Sequence, residues 1–144
     1  DVSFGWHKVT ARSVISNWLL LAKEKDFKQI FIDTAEKTYT ERKLKTYRPF
    51  YSILSKLTEP KNLDRFIIQA TACLTHNALD EISKIQCPTF VIGGDNDKIV
   101  GSSSSCELAN HIAQSKLKIY NGLGHSTYEE AKDFNSQVLS FFDN

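Results

Sequence analysis

The chain has 144 residues, 41% of them hydrophobic and 24% charged, and its 18 basic and 17 acidic side chains leave a formal charge of +1. That length accommodates one core of ordinary size, and the composition excludes a disordered chain. Nearly cancelled charge argues against a nucleic-acid-binding domain, which carries a large basic excess. Apolar runs such as Trp18-Leu19-Leu20-Leu21-Ala22 are too short to cross a bilayer, so no membrane span is expected. The opening Asp1-Val2-Ser3-Phe4 lacks the basic region and apolar stretch of a signal peptide. Cys73, Cys87 and Cys106 form an odd, widely spaced set that reads as reduced thiols of a cytoplasmic protein. There is no methionine, which reads as a processed chain or a piece of something longer.

In chain order, the first half predicts helix after helix. Thr10 can cap a helix with Val14, Trp18, Leu21 and Ala22 on one face. Asp26 can cap a second, with Phe27, Ile30, Phe31 and Ala35 inward. Thr40 opens a third stretch carrying Leu44, Tyr47, Tyr51, Leu54 and Leu57, and Pro49 should kink it or split it near Arg48. After Glu59-Pro60-Lys61, a further helix from about Asn62 carries Leu63, Phe66, Ile67, Ala70 and Leu74. The aromatic residues Trp18, Phe31, Tyr47, Phe50, Tyr51 and Phe66 follow these helical faces and read first as core.

The period then changes. Pro88 to Gly94 is a short β-forming apolar run closed by two glycines, the pattern of a buried parallel strand. Ser102 to Ser105 predict a serine-capped helix through Leu108, Ala109 and Ile112. Lys116 to Tyr120 alternates like a strand and stops at Asn121-Gly122. From Ser126 one helix is expected, with Tyr128, Ala131, Phe134, Val138 and Phe141 on one face. Its Glu129, Glu130 and Asp133 would favour the positive end of the helix dipole. The fold class is therefore α/β: a helical segment, then a β-α-β-α unit whose two strands are parallel through a right-handed crossover. The boundary falls between Asp80 and Gln86.

Ligands bind at the edge where parallel strands end, and two chemically capable residues stand just past those ends. Asp97 follows Gly93-Gly94-Asp95-Asn96, and His125 follows Asn121-Gly122-Leu123-Gly124. Their separation of 28 residues is what one loop, one crossover helix and one short strand require. A carboxylate and an imidazole meeting there form the acid–base half of a nucleophilic triad. The competing reading of Asp97 is a loop carboxylate satisfied by backbone N–H groups, and that of His125 a turn histidine capping the last helix.

The run Cys87-Pro88-Thr89-Phe90-Val91-Ile92-Gly93-Gly94-Asp95-Asn96-Asp97-Lys98-Ile99-Val100 resembles the penultimate-strand motif of the α/β-hydrolase superfamily, where a strand enters Gly-x-x-Asp-x-(Ile/Val)-Val. Leu123-Gly124-His125-Ser126, followed by Glu129-Glu130, resembles the segment bearing the catalytic histidine. The resemblance covers residues 82 to 144 directly. It implies that Asp97, not Asp95, is the triad acid and His125 the base. It also implies that residues 6–80 are the helical cap, or lid, and residues 81–144 the last two strands of the hydrolase sheet. In that superfamily the nucleophile precedes the acid on a Gly-x-Ser-x-Gly elbow. No such motif stands in this chain; the nearest, Asp1-Val2-Ser3-Phe4-Gly5, has Asp at the first glycine, which leaves Ser3 as the one candidate within it.

The sequence thus reads as the C-terminal half of a Ser–His–Asp hydrolase acting on an ester, amide or similar small molecule, and inactive by itself. Dehalogenation or C–C bond hydrolysis on the same fold, and a non-catalytic helical interaction module, are the alternatives. Self-association through exposed strand edges is expected of so small a sheet. His7, His76 and His111 share no ligand spacing with the cysteines, so no metal is expected. His76-Asn77 reads as a helix end, Asp95 as a turn residue and Cys106 as packing. Ser102 to Ser105 lack the glycines and lysine of a nucleotide loop, and no cofactor is expected.

Overall fold

The computed structural model describes residues 10–143. Ser3, its neighbours Val2 and Phe4, and His7 lie outside the described residues. Helix α1 (Thr10–Lys23) buries Val14, Ile15 and Ala22. It ends where Lys25 takes a left-handed backbone (φ 61°), which lets the Asp26 N–H reach back to the Leu21 carbonyl at 2.9 Å. Asp26 then caps α2 (Phe27–Thr38) as the sequence predicts, its side chain accepting from the Gln29 N–H at 3.0 Å. Pro49 divides the next stretch as expected. α3 (Glu41–Tyr47) gives way to a single 3-10 turn (Arg48–Phe50), and α4 (Tyr51–Leu57) follows. That turn rotates Phe50 outward, so it is 52% exposed and not core. α5 (Asp64–Thr75) starts two residues after Asn62 and packs along α1; α6 (Leu79–Ile82) is one short turn.

The core of this helical block gathers around Leu44, only 1% exposed, with Ala35 and Tyr51 buried beside it. Phe31, Ile32, Tyr39 and Tyr47 close the cluster. Leu44→Ala would leave a cavity that neighbouring rings cannot fill. We expect a loss of about 3 kcal/mol in unfolding free energy, measurable by denaturant titration.

The C-terminal unit is built on β1 (Thr89–Gly94) and β2 (Ser115–Tyr120), which pair in parallel with Val91 opposite Leu117 and Gly94 opposite Tyr120. The crossover helix α7 (Ser102–His111) packs on both strands. Its N-cap is Gly101 (φ 80°), not a serine. The Ser104 hydroxyl instead donates to the Val100 carbonyl at 2.6 Å, inside the helix start.

The single helix expected from Ser126 is two, α8 (Thr127–Glu130) and α9 (Phe134–Phe142), broken at an extended Ala131. Two tertiary demands conflict there. Glu130 is drawn into the helical block, while Phe141 stacks on Phe90 of β1 with ring centroids 5.1 Å apart. One straight helix serves only one of them. No helix among the described residues is long and apolar enough to cross a membrane.

Candidate active site

Both strands end on one edge of the sheet, and the loops that leave them are laced together. Asp95 N–H donates to the Tyr120 carbonyl (3.1 Å), Asn96 N–H to the Leu123 carbonyl (3.0 Å), and Gly122 N–H to Asp95 Oδ1 (2.6 Å). Asp95 is thus a turn residue that also ties the second loop to the first. A Cβ on Gly94 would stand 2.3 Å from the Leu123 carbonyl oxygen, so only glycine lets the two backbones close this far.

That lacing brings together the two residues singled out in the sequence. His125 Nδ1 lies 2.9 Å from Asp97 Oδ2. The other oxygen, Asp97 Oδ1, accepts from the backbone N–H groups of Ile99 (2.8 Å) and Val100 (3.0 Å). The loop-carboxylate role and the imidazole-orienting role are therefore not rivals, because each uses a different oxygen. The carboxylate only accepts, so its contact with Nδ1 requires the proton there and leaves the lone pair on Nε2. The Asp97 side chain is 7% exposed and that of His125 41%, an acid shielded behind an accessible base. Burial pushes the Asp97 carboxyl up. The His125 ring and the two backbone donors outweigh it and hold the group below its ordinary value.

The helical block grips the His125 loop from the other side. A Cβ on Gly124 would come within 2.5 Å of the Thr38 carbonyl oxygen, and Ser126 N–H points at that same oxygen at 3.4 Å. Thr40 opens α3 as the sequence predicts, but makes no side-chain cap bond to the helix. Its side chain instead donates to Glu130, whose carboxylate also accepts the Thr40 N–H at 3.0 Å. Glu129 accepts from the Tyr39 hydroxyl at 3.1 Å and pairs with Lys43 at 2.6 Å. These two acids stand in the first turn of α8 as expected, and they also serve this junction. Nothing in local sequence pairs positions 90 residues apart.

An open cavity of about 780 Å³ lies between the helical block and the strand-end loops. Phe31, Tyr51 and Phe66 line it from the helices, and Ile99, His125 and Ser126 from the loops. The other candidates stay apart from it. His76 caps the end of α5, and His111 Nδ1 lies 2.8 Å from the Glu107 carbonyl oxygen of its own helix. Cys73, Cys87 and Cys106 are free thiols, and no group of metal-ligating side chains gathers among the described residues.

The sequence and the fold have known counterparts. Residues 56–132 match the family described as serine aminopeptidase, S33. A relative from Pseudomonas putida, 2-hydroxy-6-oxononadienedioate/2-hydroxy-6-oxononatrienedioate hydrolase 2, is 32% identical over 89 residues, 59% of this chain and 31% of that protein. A non-heme haloperoxidase from Rhodococcus erythropolis is 35% identical over 66 residues, 44% of this chain and 24% of its own. Among solved structures, an α/β hydrolase from a Medee basin deep-sea metagenome library superposes with a TM-score of 0.80 at 23% identity, covering 95% of this chain and 54% of that one. The enol-lactonase from Burkholderia xenovorans gives 0.78 at 17% identity, over 92% of this chain and 51% of its own. The chain therefore spans about half the length of these structures, and its sequence matches span a third or less of these relatives. With more than half of its length matched by the family and its fold shared with these enzymes, the chain belongs to the serine aminopeptidase S33 family of α/β hydrolases.

Proposed function

We propose that this chain supplies the acid and the base of a Ser–His–Asp acyl hydrolase whose nucleophile lies outside it. The carrying observation is the Asp97–His125 contact, with Asp97 Oδ1 held by two backbone donors and Oδ2 left for the imidazole. In this reading His125 Nε2 takes the proton of a serine hydroxyl as its oxygen attacks the acyl carbon. Asp97 stabilises the imidazolium, which then gives that proton to the leaving group. Water repeats the sequence on the acyl-enzyme: His125 takes the water's proton, and the serine oxygen leaves with it. Residues 6–80 act as the cap that shapes the substrate cavity, and residues 81–144 as the C-terminal part of the core. The two-stranded sheet pairs with no further strand among the described residues. The remainder of a longer sheet, or a second copy of the chain, would add there.

The direct test is p-nitrophenyl acetate hydrolysis by the 144-residue chain alone. No turnover above the buffer rate is expected, because no Gly-x-Ser-x-Gly elbow stands in it. Turnover that His125→Ala abolishes would place the nucleophile inside the chain and return Ser3 to candidacy. A second reading has its own observation. The Pseudomonas putida relative is named as a hydrolase of a dienedioate, so hydrolysis of an unsaturated dicarboxylate is the alternative reaction on the same acid–base pair.

A further inference from the structure

We infer that the cavity beside His125 receives an uncharged apolar or aryl portion of the substrate and disfavours a carboxylate there; this deepens the hydrolase reading and rests on it. Five aromatic side chains of the wall carry a polar tip, and those of Trp18, Tyr51 and Tyr39 are spent on a carboxylate. Trp18 Nε1 donates to Asp33 Oδ2 at 2.7 Å, Tyr51 donates its hydroxyl to Glu36 Oε1 at 3.0 Å, and Tyr39 donates to Glu129 Oε1 at 3.1 Å. Each of those carboxylates is in turn matched by a cation. Lys37 pairs with Asp33, Arg48 grips Glu36 with Nε and Nη2 at 2.8 and 2.7 Å, and Lys43 lies 2.6 Å from Glu129 Oε2.

The same aromatic–acid–base relay thus occurs three times around one cavity, with two consequences. The donors that Trp18, Tyr39 and Tyr51 would offer to a ligand are already engaged, so these rings meet it as apolar surface. Burial, followed by the bond to Glu36, pushes the Tyr51 hydroxyl up to about 12, so it stays protonated and in place at neutral pH. Lys37, Arg48 and Lys43 are engaged as well. Lys43 sits over the Tyr39 ring, 4.7 Å from its centroid, yet its charge is matched by Glu129. No lysine or arginine is among the described residues that line the cavity. A ligand carboxylate entering it would leave water without gaining a lysine or arginine partner.

Hexanophenone and 5-benzoylpentanoate test this, because they share one skeleton and differ in a terminal methyl against a terminal carboxylate. Titrated into the 144-residue chain at pH 7 and followed by amide NMR shifts, the neutral ketone is expected to bind at least about tenfold more tightly. Its shifts should centre on Thr38, Ile99 and Ser126. Thr34→Arg places a cation on the wall and should abolish or reverse the ratio. Leu54→Lys repeats the change from a second helix, should the first variant lose its folded spectrum. Equal or tighter binding of the carboxylate to the unaltered chain, binding of neither ligand, or a ratio indifferent to the new cation would each overturn the inference. Because the readout is binding, a failed acyl-hydrolase reading leaves this ratio standing. An inverted ratio, equally, leaves the Asp97–His125 pair and its proton chemistry untouched.

Discussion

Asp97→Asn, introduced into an enzyme that contains this chain and the nucleophile, is expected to lower kcat by about 10⁴-fold with little change in KM. The loop around Asp97 decides the sense of the effect. Two backbone N–H groups, from Ile99 and Val100, require an acceptor at the Oδ1 position. The asparagine carbonyl must therefore stay there, which turns its NH₂ group toward His125 Nδ1. A donor facing Nδ1 forces the ring proton onto Nε2, the atom that takes the proton of the nucleophile in the proposed reaction. The fold keeps its loop bonds while the base is held in the unproductive tautomer. Nitrogen NMR of the imidazole would report the tautomer directly, and a loss in kcat of less than tenfold would sink the assigned role.

The same substitution has a stability signature in acid. Asp97 titrates below its ordinary value in the folded chain, so its ionised form favours folding at pH above the unfolded carboxyl value of about 4. That contribution disappears as pH falls below about 4 and through the lower folded value. The difference in unfolding free energy between the parent chain and Asp97→Asn should therefore narrow as solutions are acidified from pH 5 toward pH 2.

Local rules made much of this molecule readable. Asp26 in front of an apolar period, Pro49 inside one, and two short β-forming runs closed by glycines each act within a few residues. The meeting of Asp97 and His125 is longer in range, but it follows from a topological regularity: parallel strands joined by a crossover bring their following loops to one edge. What stayed hidden depends on contacts made across the junction between the helical block and the strand unit. Phe50 has the helical spacing of a core residue, but the 3-10 turn at Pro49 changes the rotation per residue and sends it to solvent. A continuous apolar stripe from Tyr128 to Phe141 suits one helix. The break at Ala131 is set by where Thr40 and Phe90 lie, which no local pattern encodes. Gly101 displaced the serines as the cap of α7 because a left-handed residue was needed to turn the loop into the helix.

Glu129 and Glu130 are neighbours of identical chemistry, and removing them should have different costs. Glu130 is buried, and it takes both the backbone N–H and the hydroxyl of Thr40 at the start of α3. Glu130→Ala would strand a backbone donor in a closed junction, a loss we expect to reach about 3 kcal/mol in unfolding free energy. Glu129 and Lys43 keep about a third and a quarter of their side-chain surface in water. Glu129→Ala should therefore cost about 0.5 to 1 kcal/mol, and less in high salt. Denaturant titrations of the two variants side by side test the contrast, and equal losses would show that the junction does not depend on the buried acid. The consequence reaches His125 as well. Thr38, whose carbonyl oxygen crowds Gly124 and faces Ser126 N–H, stands two residues before the Thr40 that Glu130 holds. Releasing Thr40 frees the end of α2 on which the His125 loop rests, so amide shifts at Gly124, His125 and Ser126 should move in Glu130→Ala and stay in place in Glu129→Ala.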